Sequence, residues 1–240
     1  SLFFMLFYHC TYLALKNNIE VDDAYIENLI ALLRHNYPTE ESWNDALQNS
    51  GFTIETYQEA VYMSFLTEEL KNTVIPDVDV TQQEIDEYAL LIAPQLKGKK
   101  SSHILIPQSE KELADEVLKR AQNGEDFAEL AAEYSIDGSA QDGGNVGWDS
   151  INSFVAPYQQ ALDKLKVGEI SPLVNSQYGY HIIKCTDIYD PDLESDTFST
   201  ATMPPELYDY AVTSLKSIKQ DEQFNTYLKN LEQKANYEFP

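Results

Sequence analysis

The run Ser102-His103-Ile104-Leu105-Ile106 is answered, far along the chain, by Tyr178-Gly179-Tyr180-His181-Ile182-Ile183-Lys184. Each sets an imidazole at the mouth of an alternating apolar run, the period-two signature of a half-buried strand. Between them lie Ser135-Ile136-Asp137-Gly138 and Gly143-Gly144-Asn145-Val146-Gly147-Trp148. Two such strands bracketing one Gly-rich loop predict neighbours in a single sheet, with His103 and His181 converging on one site.

Working outward, Ser109-Glu110-Lys111-Glu112 has the form of a capping box, heading a helix with Leu113, Val117, Leu118 and Ala121 on one stripe. Asn123-Gly124 ends it. Phe127, Leu130, Ala131 and Tyr134 recur at helical spacing and predict a second helix. Pro157 to Leu165 predicts a third, and Gly179 to Ile188 the closing strand. Lys97-Gly98-Lys99-Lys100-Ser101 reads as a polar hinge in front of this region. Short strands with helices packed around one small sheet define an α+β module.

The flanks are helical. Leu2 to Asn17 reads as a core helix, since it lacks the cationic start and small-residue exit of a signal peptide and is too short to span a bilayer. Asp22 or Asp23 caps a helix bearing Ile26, Leu29, Ile30 and Leu33. Pro38-Thr39-Glu40-Glu41 opens another, through Trp43 and Leu47 to Ser50-Gly51. Thr53 precedes a longer one with Tyr57, Val61, Phe65 and Leu66 inward. After a break at Pro76 to Asp79, Thr81-Gln82-Gln83-Glu84 opens the helix that leads to the hinge. Asp190 to Thr202 reads as a linker. The helix beyond Pro204-Pro205 carries the stripe Phe224, Tyr227, Leu228 and Leu231, whose nearest burial site is the N-terminal helices.

Composition narrows the functions. Forty Asp and Glu against sixteen Lys and Arg give a net charge of −24, which repels nucleic acid and suits neutral or basic polypeptide partners. The four histidines, His9, His35, His103 and His181, show no metal-ligand spacing, so no metal site is expected. Cys10 and Cys185 sit in apolar surroundings and read as buried thiols, with a disulfide between them left open.

The paired histidines, the Asp-Gly turn and the Gly-Gly loop resemble the parvulin family of peptidyl-prolyl cis/trans isomerases over residues 100 to 188. The helical flanks are similar, more diffusely, to the shells of PrsA-like and SurA-like foldases. The resemblance implies three regions: a helical chaperone segment at 1–98, a parvulin domain at 99–188, and a linker with a C-terminal helix at 189–240 that packs back on the first segment. The fold expected is thus a parvulin module, a small antiparallel sheet surrounded by helices, inserted into an all-α chaperone domain.

Rotation about an X–Pro bond breaks no covalent bond and faces a barrier of ~18–20 kcal/mol from amide resonance. Such chemistry needs no cofactor, metal or nucleophile. By resemblance, His103 and His181 share a hydrogen bond and shape the floor of the site. Asp137 faces the rotating carbonyl, and Ser176 and Tyr178 flank it. Val146, Phe154 and Tyr158 form the proline pocket. Read from the residues alone, Asp137 beside Gly138 serves equally as a turn residue, and Phe154 with Tyr158 equally as core packing. Tyr158 stands where the family usually has Phe, Asn145-Val146 where Asp-Leu is usual, and Asp149 where an aromatic is common.

The implied function is an extracytoplasmic foldase that isomerises X–Pro bonds and binds unfolded secreted polypeptides. It would sit at a bacterial cell surface or in a periplasm, with any membrane tether upstream of Ser1. The alternative is a non-catalytic holdase whose module binds chains without turning them over. A homodimer through the Leu2 to Leu15 face stays open.

Overall fold

The computed structural model describes residues 10–193 and 198–234. The first part of the Leu2 to Asn17 helix, His9 and part of the Asp190 to Thr202 linker therefore lie outside the described residues. Residues 10–16 are helical. The chain divides into two compact units, Val80–Leu215 and Ser1–Asp79 with Lys216–Pro240.

The first of these is α+β. A four-stranded antiparallel sheet has the order β2-β1-β4-β3, with β1 at Gly98–Ile106, β2 at Asn145–Trp148, β3 at Val174–Ser176 and β4 at Gly179–Tyr189. Period-two alternation sends its side chains to two different cores. Ile104, Ile106 and Ile182 enter one with Ala114, Val117 and Ala121 of α5 (Lys111–Gln122) and Phe127, Leu130 and Ala131 of α6 (Phe127–Tyr134). On the other face Ile183 and Cys185 pack with Tyr158 and Leu162 of α7 (Ala156–Leu162). The helix α4 (Gln82–Leu96) joins this unit through Ala89 and Leu96, which cluster with Trp148, Tyr189, Met203, Leu207 and Ala211.

Several expectations change. Gly98 to Ser101 is the start of β1, not a hinge, because it pairs with Asp187–Tyr189 and Cys185 of β4. Its lysines are engaged: Lys100 meets Glu206, and the Lys99 ammonium donates to the carbonyls of Leu162, Asp163 and Leu165. Ser109 forms no capping box. A turn from Pro107 to Glu110 delays the helix, whose N-cap is Glu110 without a side-chain cap bond. The α7 helix stops at Leu162, and β2 and β3 are strands that the hydrophobic pattern did not mark.

The second unit is helical. Asp22 caps α1 (Asp23–Arg34), accepting from the Ala24 amide. Thr39 and Thr53 form capping boxes with Ser42 and Thr56 at the heads of α2 (Glu40–Asn49) and α3 (Ile54–Val74). Ile26, Ile30, Trp43 and Leu47 make one core, braced by edge-on contacts of Tyr57 with Trp43 and Phe52. A second core joins Cys10, Leu13 and Leu70 to Phe224 and Leu228 of α8 (Pro205–Lys234). Lys71 bonds Asp221 at 2.7 Å there. Both cysteines are buried and free. Among the described residues no helix is long and apolar enough to cross a membrane.

Candidate active site

The site grows from the β1–β4 register. His103 pairs with Ile183 and Leu105 with His181, so the two histidines stand on the same face as diagonal neighbours. Their Nδ1 atoms are 3.2 Å apart and the rings stack at 5.4 Å between centroids. His181 Nε2 lies 2.7 Å from Ser176 Oγ, which in turn accepts from the Tyr178 amide at 3.1 Å.

Asp137 is carried in by the segment after α6. Where β2 stops pairing, Ser135 Oγ accepts from the amides of Leu105 and Asp137, and Ile136 N–H donates to the Leu105 carbonyl at 2.9 Å. These bonds set Asp137 against the free edge of β1. Its Oδ1 accepts from the Ser139 amide at 2.9 Å and hydroxyl at 2.5 Å, and lies 3.3 Å from His103 Nε2. That last contact lacks hydrogen-bond alignment and leaves the buried Nε2 without a hydrogen-bond partner among the described residues.

The Gly-Gly loop approaches from the other side. The His103 amide donates to the Gly144 carbonyl at 2.8 Å, and Gly144 has φ +75°. A Cβ there would lie 2.1 Å from the His103 carbonyl oxygen, so only glycine permits this approach.

Tyr158 on α7 meets both imidazoles edge-on, at 5.6 and 5.5 Å, and Phe154 packs against it at 4.6 Å. Its hydroxyl finds a partner in Ser101 Oγ at 3.0 Å. Val146, Phe154, Tyr158 and Tyr178 line one cavity of about 350 Å³ with His103, His181 and Asp137. Ser176 does not line it but backs His181. Leu105, Ser153 and Val155 complete the wall, and of these Leu105 alone falls in a strand run. Leu105 was within reach, being two positions from His103 and hence on the same strand face.

Electrostatics keep the floor neutral and its rim charged. Burial, reinforced by His103, pushes His181 down to about 4 against the pull of Asp137. Burial likewise lowers His103 against the same carboxylate. Partial burial works to raise Asp137, but the Ser139 hydroxyl and amide and His103 outweigh it and hold the carboxyl at about 2.

With both rings neutral, one of the facing Nδ1 atoms carries a proton. If His181 donates to His103, the Ser176 hydroxyl can donate to His181 Nε2 and a His103 Nε2–H faces the Asp137 carboxylate. The reverse order points a lone pair at that carboxylate. Electrostatics favour the first.

An apolar notch floored by two neutral imidazoles, with one carboxylate at its lip, has the chemistry to take a small apolar ring beside a polar backbone group. Among the described residues no cluster of His, Cys, Asp or Glu could hold a metal.

Residues 90–187 match the rotamase family described as the PPIC-type PPIASE domain. Through this domain the chain belongs to the parvulin-type peptidyl-prolyl isomerases, set in a PrsA-like fold. It is 35% identical over 179 residues to the foldase protein PrsA of Oceanobacillus iheyensis, covering 74% of this chain and 57% of that protein. To the chaperone SurA of Salmonella typhimurium it is 30% identical over 188 residues, covering 72% and 44%. The crystal structure of PrsA from Bacillus subtilis matches 98% of this chain and 83% of its own, at 27% identity and a TM-score of 0.51. The chain spans less than two thirds of the length of these curated relatives.

Proposed function

We propose that the chain is a foldase that isomerises X–Pro bonds in unfolded polypeptides, working outside the cytoplasm of a bacterium. In this reading residues 99–188 supply catalysis, and the helices before and after them hold the client. The observation that carries the reading is the neutral His103–His181 pair beneath an apolar notch with the Asp137 carboxylate at its lip.

The mechanism needs three things. Val146, Phe154 and Tyr158 grip the pyrrolidine ring and exclude water from the adjoining amide. His103 and His181, locked by each other and by Ser176, hold the floor rigid. Asp137 stands by the carbonyl oxygen that carries partial negative charge in the planar amide. That charge falls as the amide twists, so a fixed carboxylate raises the planar ground state more than the twisted transition state. Lowering the barrier by ~5 kcal/mol gives a rate gain of several thousand-fold.

A protease-coupled assay on a proline tetrapeptide tests this. Wild type accelerates the slow phase, and Asp137→Ala and His103→Ala each slow it at least tenfold while keeping a cooperative melt. Background rates from folded wild-type protein would instead make the chain a holdase, which suppression of client aggregation would then show. Full rates in both variants would refute the site assignment. Fractionation of source cells checks the compartment.

A further inference from the structure

We propose that the notch selects a lysine or arginine immediately before the proline. The preference deepens the isomerase reading and rests on it. Among the described residues Asp137 is the one acidic side chain lining the cavity, and no lysine or arginine lines it. All its contacts run to Oδ1, so Oδ2 has no partner among the described residues, and the side chain is 34% exposed.

The nearby cations are committed elsewhere. Lys99 is spent on three carbonyls, Lys100 on Glu206, and Lys184 lies over the Phe127 ring, which belongs to the opposite face of the sheet. No lysine or arginine among the described residues therefore neutralises Asp137, and carboxylates outnumber cations by forty to sixteen along the chain.

Two further observations fit a long cationic side chain. Ile136, next to Asp137, and Tyr178, on the cavity wall, are both 59% exposed. Apolar surface beside an ion suits a residue that buries an aliphatic stem and presents a charged head. His103 Nε2 lies 3.3 Å from Asp137 Oδ1 without hydrogen-bond alignment, so the imidazole takes no share of Oδ2. The side chain before proline and the rotating carbonyl share one Cα, so a carboxylate that reaches the second also reaches the first.

The test compares kcat/KM for tetrapeptides Ala-Xaa-Pro-Phe with Xaa as Lys, Leu or Glu. Lys is expected above Leu and about tenfold above Glu, as one partly screened ion contact allows. The Lys-to-Glu ratio shrinks towards unity in 0.5 M NaCl. Asp137→Asn lowers every rate and brings the ratio near one. Equal rates for Lys and Glu in wild type, or an unchanged ratio in Asp137→Asn, would overturn the preference. Absence of turnover on all three peptides would overturn the isomerase reading instead. Calorimetric binding of the same peptides then decides the preference by itself, and equal affinities for Lys and Glu would end it.

Discussion

The Tyr158 hydroxyl and Ser101 Oγ share a buried hydrogen bond of 3.0 Å that ties α7 to β1 beside the shift in register between Lys100 and Ser101. A phenol in an apolar wall is thereby satisfied, and the pocket gains a ring held at two points. Burial pushes that phenol above its ordinary range, with Ser101 opposing.

Tyr158→Phe should then lose about 1 kcal/mol in urea unfolding, because the Ser101 hydroxyl is left buried and alone. Adding Ser101→Ala should restore part of that loss, while proline-peptide turnover persists because the ring stays. Strict additivity of the two changes would show that the bond contributes nothing.

Acid should weaken the isomerase unit in a defined window. His103 and His181 are lowered in the fold, His181 to about 4, so the unfolded chain binds more protons below pH ~6.5. Stability is full above that pH and falls as pH drops from 6.5 towards 4. Asp137 adds a second stabilising contribution, full above pH ~3.8 and lost as pH falls through about 2. Trp148 fluorescence in a Trp43→Phe background isolates this unit. A midpoint unchanged between pH 6.5 and 4.5 would contradict the buried neutral pair.

Two glycines with positive φ should respond differently to alanine. Gly144→Ala forces its methyl into the His103 carbonyl and should lose about 3 kcal/mol or more, together with the site. Gly124, at φ +90°, has open space where an alanine methyl would stand and should lose only about 1 kcal/mol of backbone strain. Comparable losses in chemical denaturation would remove the argument from close approach.

Lys99→Met should loosen α7 from its C-terminal end. The ammonium serves carbonyls of Leu162, Asp163 and Leu165 at 3.3, 2.7 and 2.6 Å. Losing it should cost about 1–2 kcal/mol and weaken peptide binding, since Tyr158 rides on that helix. Hydrogen exchange across 156–165 measures the loosening directly.

What the chain declared in advance was local or periodic. His103 and His181 could be placed on one site because each heads an alternating run, and Thr81 announced its helix by a cap three residues ahead of its partner Glu84. The strands Asn145–Trp148 and Val174–Ser176 are too short to display a period, and Asn145 and Gly147 resemble turn chemistry. Lys99 and Lys100 looked like a solvated hinge because their partners at 162–165 and 206 are remote in sequence. Ser109 promised a cap, yet Pro107 turned the backbone first. The Ser101–Tyr158 and Ser139–Asp137 bonds left no trace in any pattern, since a single hydroxyl has no periodicity to read.

One helix, Pro205–Lys234, lends Leu207 and Ala211 to one core and Phe224 and Leu228 to another. During vectorial synthesis the sheet and its site can close once residue 215 is free. The helical unit must wait for Asp221, Phe224 and Leu228 to reach Lys71 and Leu70, partners made roughly 150 positions earlier. The threading thus lets the notch of His103 and His181 close before the helical unit can be sealed.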